Sequence, residues 1–114
     1  MEIVIIKQPV PMAEIVRLAE ASYGHMVKAV VDVERKIMAV GGELHADAEA
    51  ELLEDGSRQE DLWGCNIYPD QPIESRIEYT SLINIRSVAG NRSMEVKDNK
   101  VREQMRDIVN KLIG

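Results

Sequence analysis

The chain has one cysteine, Cys65, one tryptophan, Trp63, and no phenylalanine. A single cysteine excludes an intrachain disulfide and any zinc site built on paired cysteines. Long apolar runs are also missing. The longest near the start is Ile3 to Ile6, behind Glu2, which is too short and wrongly flanked for a signal segment or a membrane span. Cations are scarce as well: 14 Lys+Arg against 20 Asp+Glu leave a formal net charge of -6. Such a chain has no general pull toward nucleic acid or anionic lipid. Together these absences point to the cytoplasm, with no membrane and no nucleic-acid partner.

What is present suits one globular domain. The length is 114 residues, and hydrophobic residues at 45% exceed what a disordered chain carries. The charge is unevenly placed. Residues 1–57 hold five Lys+Arg and eleven Asp+Glu, whereas residues 58–114 hold nine of each. From Glu43 to Asp61 eight acids stand against Arg58 alone. A solvated helix face and loop explain that excess; a cation site or a contact for a basic partner would use it.

Met1 to Ile6 reads as a buried strand ended by Pro9 and Pro11. Pro11 suits the first turn of a helix, and Met12, Ile15, Val16, Ala19 and Tyr23 follow at helical spacing, with Gly24 as the stop. Val27 to Val33 and Lys36 to Val40 are β-branched and predict a hairpin turning at Glu34 and Arg35, against a single helix over 26–40. After Gly41 and Gly42, residues 43–53 alternate like a strand but are Ala, Glu and Leu in composition. Propensity predicts a helix capped by Asp47 and ended at Gly56, with 43–45 closing the preceding strand. Leu62 to Tyr68 reads as a strand. Arg76 to Arg86 alternates most cleanly and predicts a long strand covered on one side. Asp98 caps a last helix whose stripe is Val101, Met105, Ile108, Val109, Leu112 and Ile113. The expected order is β-α-β-β-α-β-β-α, a two-layer α+β domain with a largely antiparallel sheet and the helices on one face.

Several segments carry a resemblance. They are Lys28-Ala-Val-Val-Asp32, Gly41-Gly-Glu-Leu-His-Ala-Asp-Ala-Glu49, Leu53-Glu-Asp-Gly-Ser57, Leu62-Trp-Gly64, Thr80-Ser-Leu-Ile-Asn-Ile-Arg86 and Gly90-Asn-Arg-Ser-Met94. Over nearly the whole chain the sequence resembles a family of short prokaryotic proteins known only as a domain of unknown function. The resemblance implies a free-standing domain and brings no activity, substrate or cofactor.

Two constellations could carry chemistry. On a strand, Glu43, His45 and Asp47 would share one face, and Asp32 on the neighbouring hairpin could add a ligand for a divalent cation. If a helix begins at or before Asp47, the three need not converge, and His45 then orders a sheet-to-helix turn. The second is Gly90-Asn91-Arg92-Ser93, where turn N–H groups with Arg92 and nearby Arg86 form the anion-binding candidate. Its plain alternative is a surface turn whose arginine meets a local acid. Trp63, Tyr68 and Tyr79 suit core packing better than a nucleic-acid platform. Cys65 reads as a small buried thiol, and neither Ser57 nor Ser81 lies in a nucleophile elbow.

The expected function is a small interaction or ligand-binding module, with a protein or small-molecule partner, that self-associates. Its basis is size and two amphipathic helices whose stripes need not both be covered within one small monomer. The alternative is a small metal-dependent, hydrolase-like enzyme built on residues 43–47, in which a divalent cation would activate water.

Overall fold

The computed structural model describes residues 1–114. The elements are β1 (Ile3–Ile6), α1 (Met12–Glu20), β2 (Val27–Asp32), β3 (Ile37–Gly41), α2 (His45–Glu54), β4 (Leu62–Ile67), β5 (Ile77–Glu78) and α3 (Asn99–Leu112). Their order is β-α-β-β-α-β-β-α, as the sequence pattern predicts. They form an α+β fold around one five-stranded sheet of order β1-β3-β2-β4-β5, antiparallel throughout. No helix is long and apolar enough to cross a membrane.

The hairpin of β2 and β3 forms without a glycine turn because Asp32 supplies the turn chemistry. Its Oδ1 accepts the N–H groups of Glu34 at 2.9 Å and Arg35 at 2.8 Å. Its Oδ2 accepts the Ser57 hydroxyl at 2.6 Å, which ties the turn to the end of α2. Lys36 then takes a left-handed φ of 59° so that its N–H reaches the Asp32 carbonyl at 2.9 Å.

The helices occupy both faces of the sheet, which corrects the expectation of one. β2 turns Val27, Ala29 and Val31 to one side and Val30 to the other; β3 turns Met38 and Val40 to the first side and Ile37 and Ala39 to the second. Central strands that are apolar on both faces need cover on both. α1 and α3 cover the first face through Ile15, Leu18, Met105, Ile108, Val109 and Leu112. α2 covers the second through Ala48 and Leu52. The stripes of α1 and α3 are therefore buried within one chain, and the helical argument for self-association falls away.

Two further differences concern element bounds. α2 begins at His45 rather than Asp47. Asp47 still caps the start, but from the third helical position, where Oδ2 accepts the Leu44 N–H at 3.3 Å. The long strand expected over 76–86 is only Ile77–Glu78. Beyond it Ser81 opens a 3-10 turn over Leu82–Asn84, its hydroxyl accepting the Ile83 N–H at 3.2 Å. Burial there follows a spacing of three rather than two: Ser81 and Asn84 are buried against β4 while Leu82 and Ile85 face out. The predicted cap of the last helix holds: Asp98 Oδ1 accepts the Lys100 N–H at 2.8 Å.

Candidate functional site

β5 pairs only with Asn66 and Ile67, so the first half of β4 presents an open edge at Leu62 and Gly64. The segment from Tyr79 to Val96 closes that edge with side chains instead of a strand. Asn84 is fully buried. Its Oδ1 accepts the Gly64 N–H at 2.8 Å and its Nδ2 donates to the Gly64 carbonyl at 3.0 Å. One carboxamide thus supplies both hydrogen bonds that a neighbouring strand would supply. Gly64 is needed for the approach: a Cβ there would lie 2.5 Å from the Ser81 Cβ. Asn91, also buried, holds the return of the segment. Its Nδ2 lies within hydrogen-bond reach of the carbonyls of Asn84, Ser93 and Glu95, and its Oδ1 accepts the Lys97 N–H at 3.0 Å.

Arg86 caps the remaining edge group. Its Nη2 donates to the Leu62 carbonyl, and its guanidinium lies 4.7 Å from the centre of the Trp63 ring. Nη2 also stands 3.8 Å from Glu49 Oε2, close enough for attraction but too long for a hydrogen bond. The two side chains are only 14% and 12% exposed, yet Arg86 Nη1 and Glu49 Oε2 have no hydrogen-bond partner within the protein. Burial works against the Arg86 charge and pulls its pKa down, while Glu49 opposes that pull.

This pair borders an open groove of about 770 Å³, walled by Ile83, Ile85 and Val88 on one side and by Gln59 and Glu60 on the other. A second cavity of about 270 Å³ shares Ile83 and is bordered by Lys28, Leu44, His45, Leu82 and Met94. Leu44, Leu82, Ile85, Val88 and Met94 are exposed. Five of the large apolar side chains left in water thus gather along one seam, between α2 and the 79–96 segment.

His45, the first residue of α2, lies beneath that seam. With hydrogen on Nε2 it donates to the Cys65 carbonyl at 2.8 Å. Burial first, and the Lys28 charge second, hold its pKa below the usual histidine range, against the pull of the Cys65 carbonyl. Glu43 and Asp47 are exposed, and Asp32 is spent on the hairpin turn and Ser57. The structure does not bring Glu43, His45, Asp47 and Asp32 together, and no group of three or more His, Cys, Asp or Glu side chains is placed to hold a metal ion. A helix beginning at His45 sends residues two apart to different faces. The anion candidates separate as well. Asn91 is turned inward, Arg86 points to Leu62 and Glu49, and Arg92 alone is exposed. Cys65 is buried, its thiol pushed up to about 12 by burial, which suits an inert packing residue.

A family model described as "Protein of unknown function (DUF5674)" matches residues 4–112. The chain belongs to this family. No curated protein and no solved structure matches it.

Sequence reasoning named Arg86 in the DUF5674 chain but not its partners Glu49 and Trp63, nor Asn84 as the residue that closes the edge. Glu49 was lost among the acids of 43–61. Asn84 sits on the polar side of an alternating run, where burial is not expected. The available signal was the pairing of a mid-strand glycine, Gly64, with an asparagine inside another apolar run.

Proposed function

We propose that this DUF5674 domain is an interaction module whose recognition surface is the seam between α2 and the 79–96 segment. Its partner is a short apolar stretch of another chain that also carries basic residues. The observation that carries this reading is the gathering of Leu44, Leu82, Ile85, Val88 and Met94 around two grooves, the larger bordered by Glu49, Glu60 and Arg86 and the smaller by Lys28. Clustered exposed apolar groups mark interaction sites far better than scattered ones. On the larger groove Glu49 Oε2 has no hydrogen-bond partner, and an incoming lysine or arginine would supply one. A metal-dependent reading has no comparable support, since its ligands point apart.

The test is amide chemical-shift mapping with short synthetic peptides that join leucines to lysine or arginine, beside glutamate counterparts. The expected result is shifts at residues 49, 59–60 and 83–89 with the basic set only, weakened in Val88→Ser and Ile85→Ser. Absence of shifts at those positions, or equal shifts with the glutamate set, would overturn the reading. Light scattering on the free protein separates self-association through the same seam from capture of a different chain.

A further inference from the structure

A third cavity, of about 500 Å³, shares no residue with the seam. It lies between the β2–β3 turn, the stretch after β1 and the α3 helix, and Lys7, Lys36 and Lys111 all line it. Three lysines on one concave surface stand out in a chain with 14 basic residues and a net charge of -6. Lys36 and Lys111 form no ion pair, whereas Lys7 is paired with Asp55 at 3.0 Å. One acid lines the cavity, Asp107, and it pairs with Arg106 at 3.5 Å.

The backbone adds an independent observation. Lys36 has a φ of 59°, and it is the one non-glycine residue of the chain in the left-handed region. That region favours glycine or asparagine, because Cβ crowds the following carbonyl. The turn itself needs only the Lys36 N–H, which any residue but proline supplies. Keeping a lysine there strains the backbone and places a charge on the cavity rim, and such outliers collect at ligand sites. The floor is apolar, formed by Val33, Ile108 and Leu112.

We propose that this cavity binds a small organic phosphate. Lys36 and Lys111, which no acid holds, take the phosphate oxygens through charge-assisted hydrogen bonds, and the carbon skeleton rests on Val33, Ile108 and Leu112. An inorganic anion would meet the same charges but leave the apolar floor uncovered.

The experiment compares phenyl phosphate, inorganic phosphate and phenol by amide shift titration of the full chain. Phenyl phosphate is expected to perturb residues 7–9, 33–36 and 104–112 saturably, more tightly than inorganic phosphate, with phenol inert. Added salt should weaken binding, because exposed charges are screened within about 8 Å at physiological ionic strength. Lys36→Gly separates site from scaffold. Glycine accepts the left-handed turn, so its melting temperature should stay level or rise, while phenyl phosphate binding should fall about tenfold, as for one lost charge-assisted contact. Lys111→Gln should weaken binding similarly. Three results would overturn the proposal: no perturbation at those residues, phenol binding as well as phenyl phosphate, or inorganic phosphate matching it. Unchanged affinity in Lys36→Gly would do so too.

Discussion

Asn84 carries more of the structure than any charged side chain in the seam. Removing its carboxamide leaves the Gly64 N–H and carbonyl without partners in a buried place, while the Met94 carbonyl keeps the Ser81 N–H. Buried orphans of this kind cost about 1–3 kcal/mol each. Asn84→Ala should therefore lower unfolding stability by about 2–4 kcal/mol in a denaturant titration. Asn84→Asp should be no milder, because a carboxylate keeps the bond to the Gly64 N–H but repels the two carbonyls. His45 gives the pH dependence. Its folded pKa lies below the ordinary 6.5, so the unfolded chain takes up a proton first as pH falls. Its contribution is level above 6.5 and is lost as pH drops from 6.5 toward the folded value. His45→Gln retains a donor for the Cys65 carbonyl and has nothing to titrate. Thermal melts from pH 7.5 down to 5 should converge, the mutant losing less than the wild type. Parallel curves would show that other groups govern that range.

At the scale of elements, the sequence was most legible where one periodicity ruled. The stripe of α3 announced itself through spacing, whereas the part Asp32 plays in the hairpin turn emerged only from the fold. The β2–β3 hairpin was visible because Ala29-Val30-Val31 resists a helix, and the same run explains why two faces are covered. α2 was harder, because alternation and propensity disagreed at residues 43–47, and the start moved when Asp47 acted from inside the helix. The 76–86 stretch misled because the 3-10 turn over Leu82–Asn84 breaks the two-residue period, burying Asn84 from the polar side and exposing Ile85 from the apolar side. Its contact with β4 depends on Gly64. Gly64→Ala brings a methyl within 2.5 Å of the Ser81 Cβ and should cost about 1–3 kcal/mol through overpacking. Pairing it with Ser81→Gly should recover part of that loss, which a double-mutant cycle would read as coupling of about 0.5 kcal/mol or more. Strict additivity would mean that the two residues do not press on each other.

Across the whole molecule, charge and apolar exposure divide the surface into two territories. The apolar seam runs between α2 and the 79–96 segment, and a lysine-lined hollow lies at the hairpin turn and α3. The composition foretold the acid excess but not this division, because Lys7, Lys36 and Lys111 are far apart along the chain and only the fold assembles them. The same limit applies to Glu49, Trp63 and Arg86. Such long-range neighbours carry no local signature, whereas turn and helix signals are written within four residues.

The stacking of Arg86 on Trp63 has an optical consequence. With one indole in the chain, all tryptophan emission comes from a ring buried in the main core on one side and lying beside a guanidinium on the other. Lifting of the 79–96 segment would strip away that cation and admit solvent while the sheet stays hydrogen-bonded. Intrinsic fluorescence and far-ultraviolet dichroism therefore watch different events in this molecule. If the seam opens before the domain melts, the colour of its light will change first.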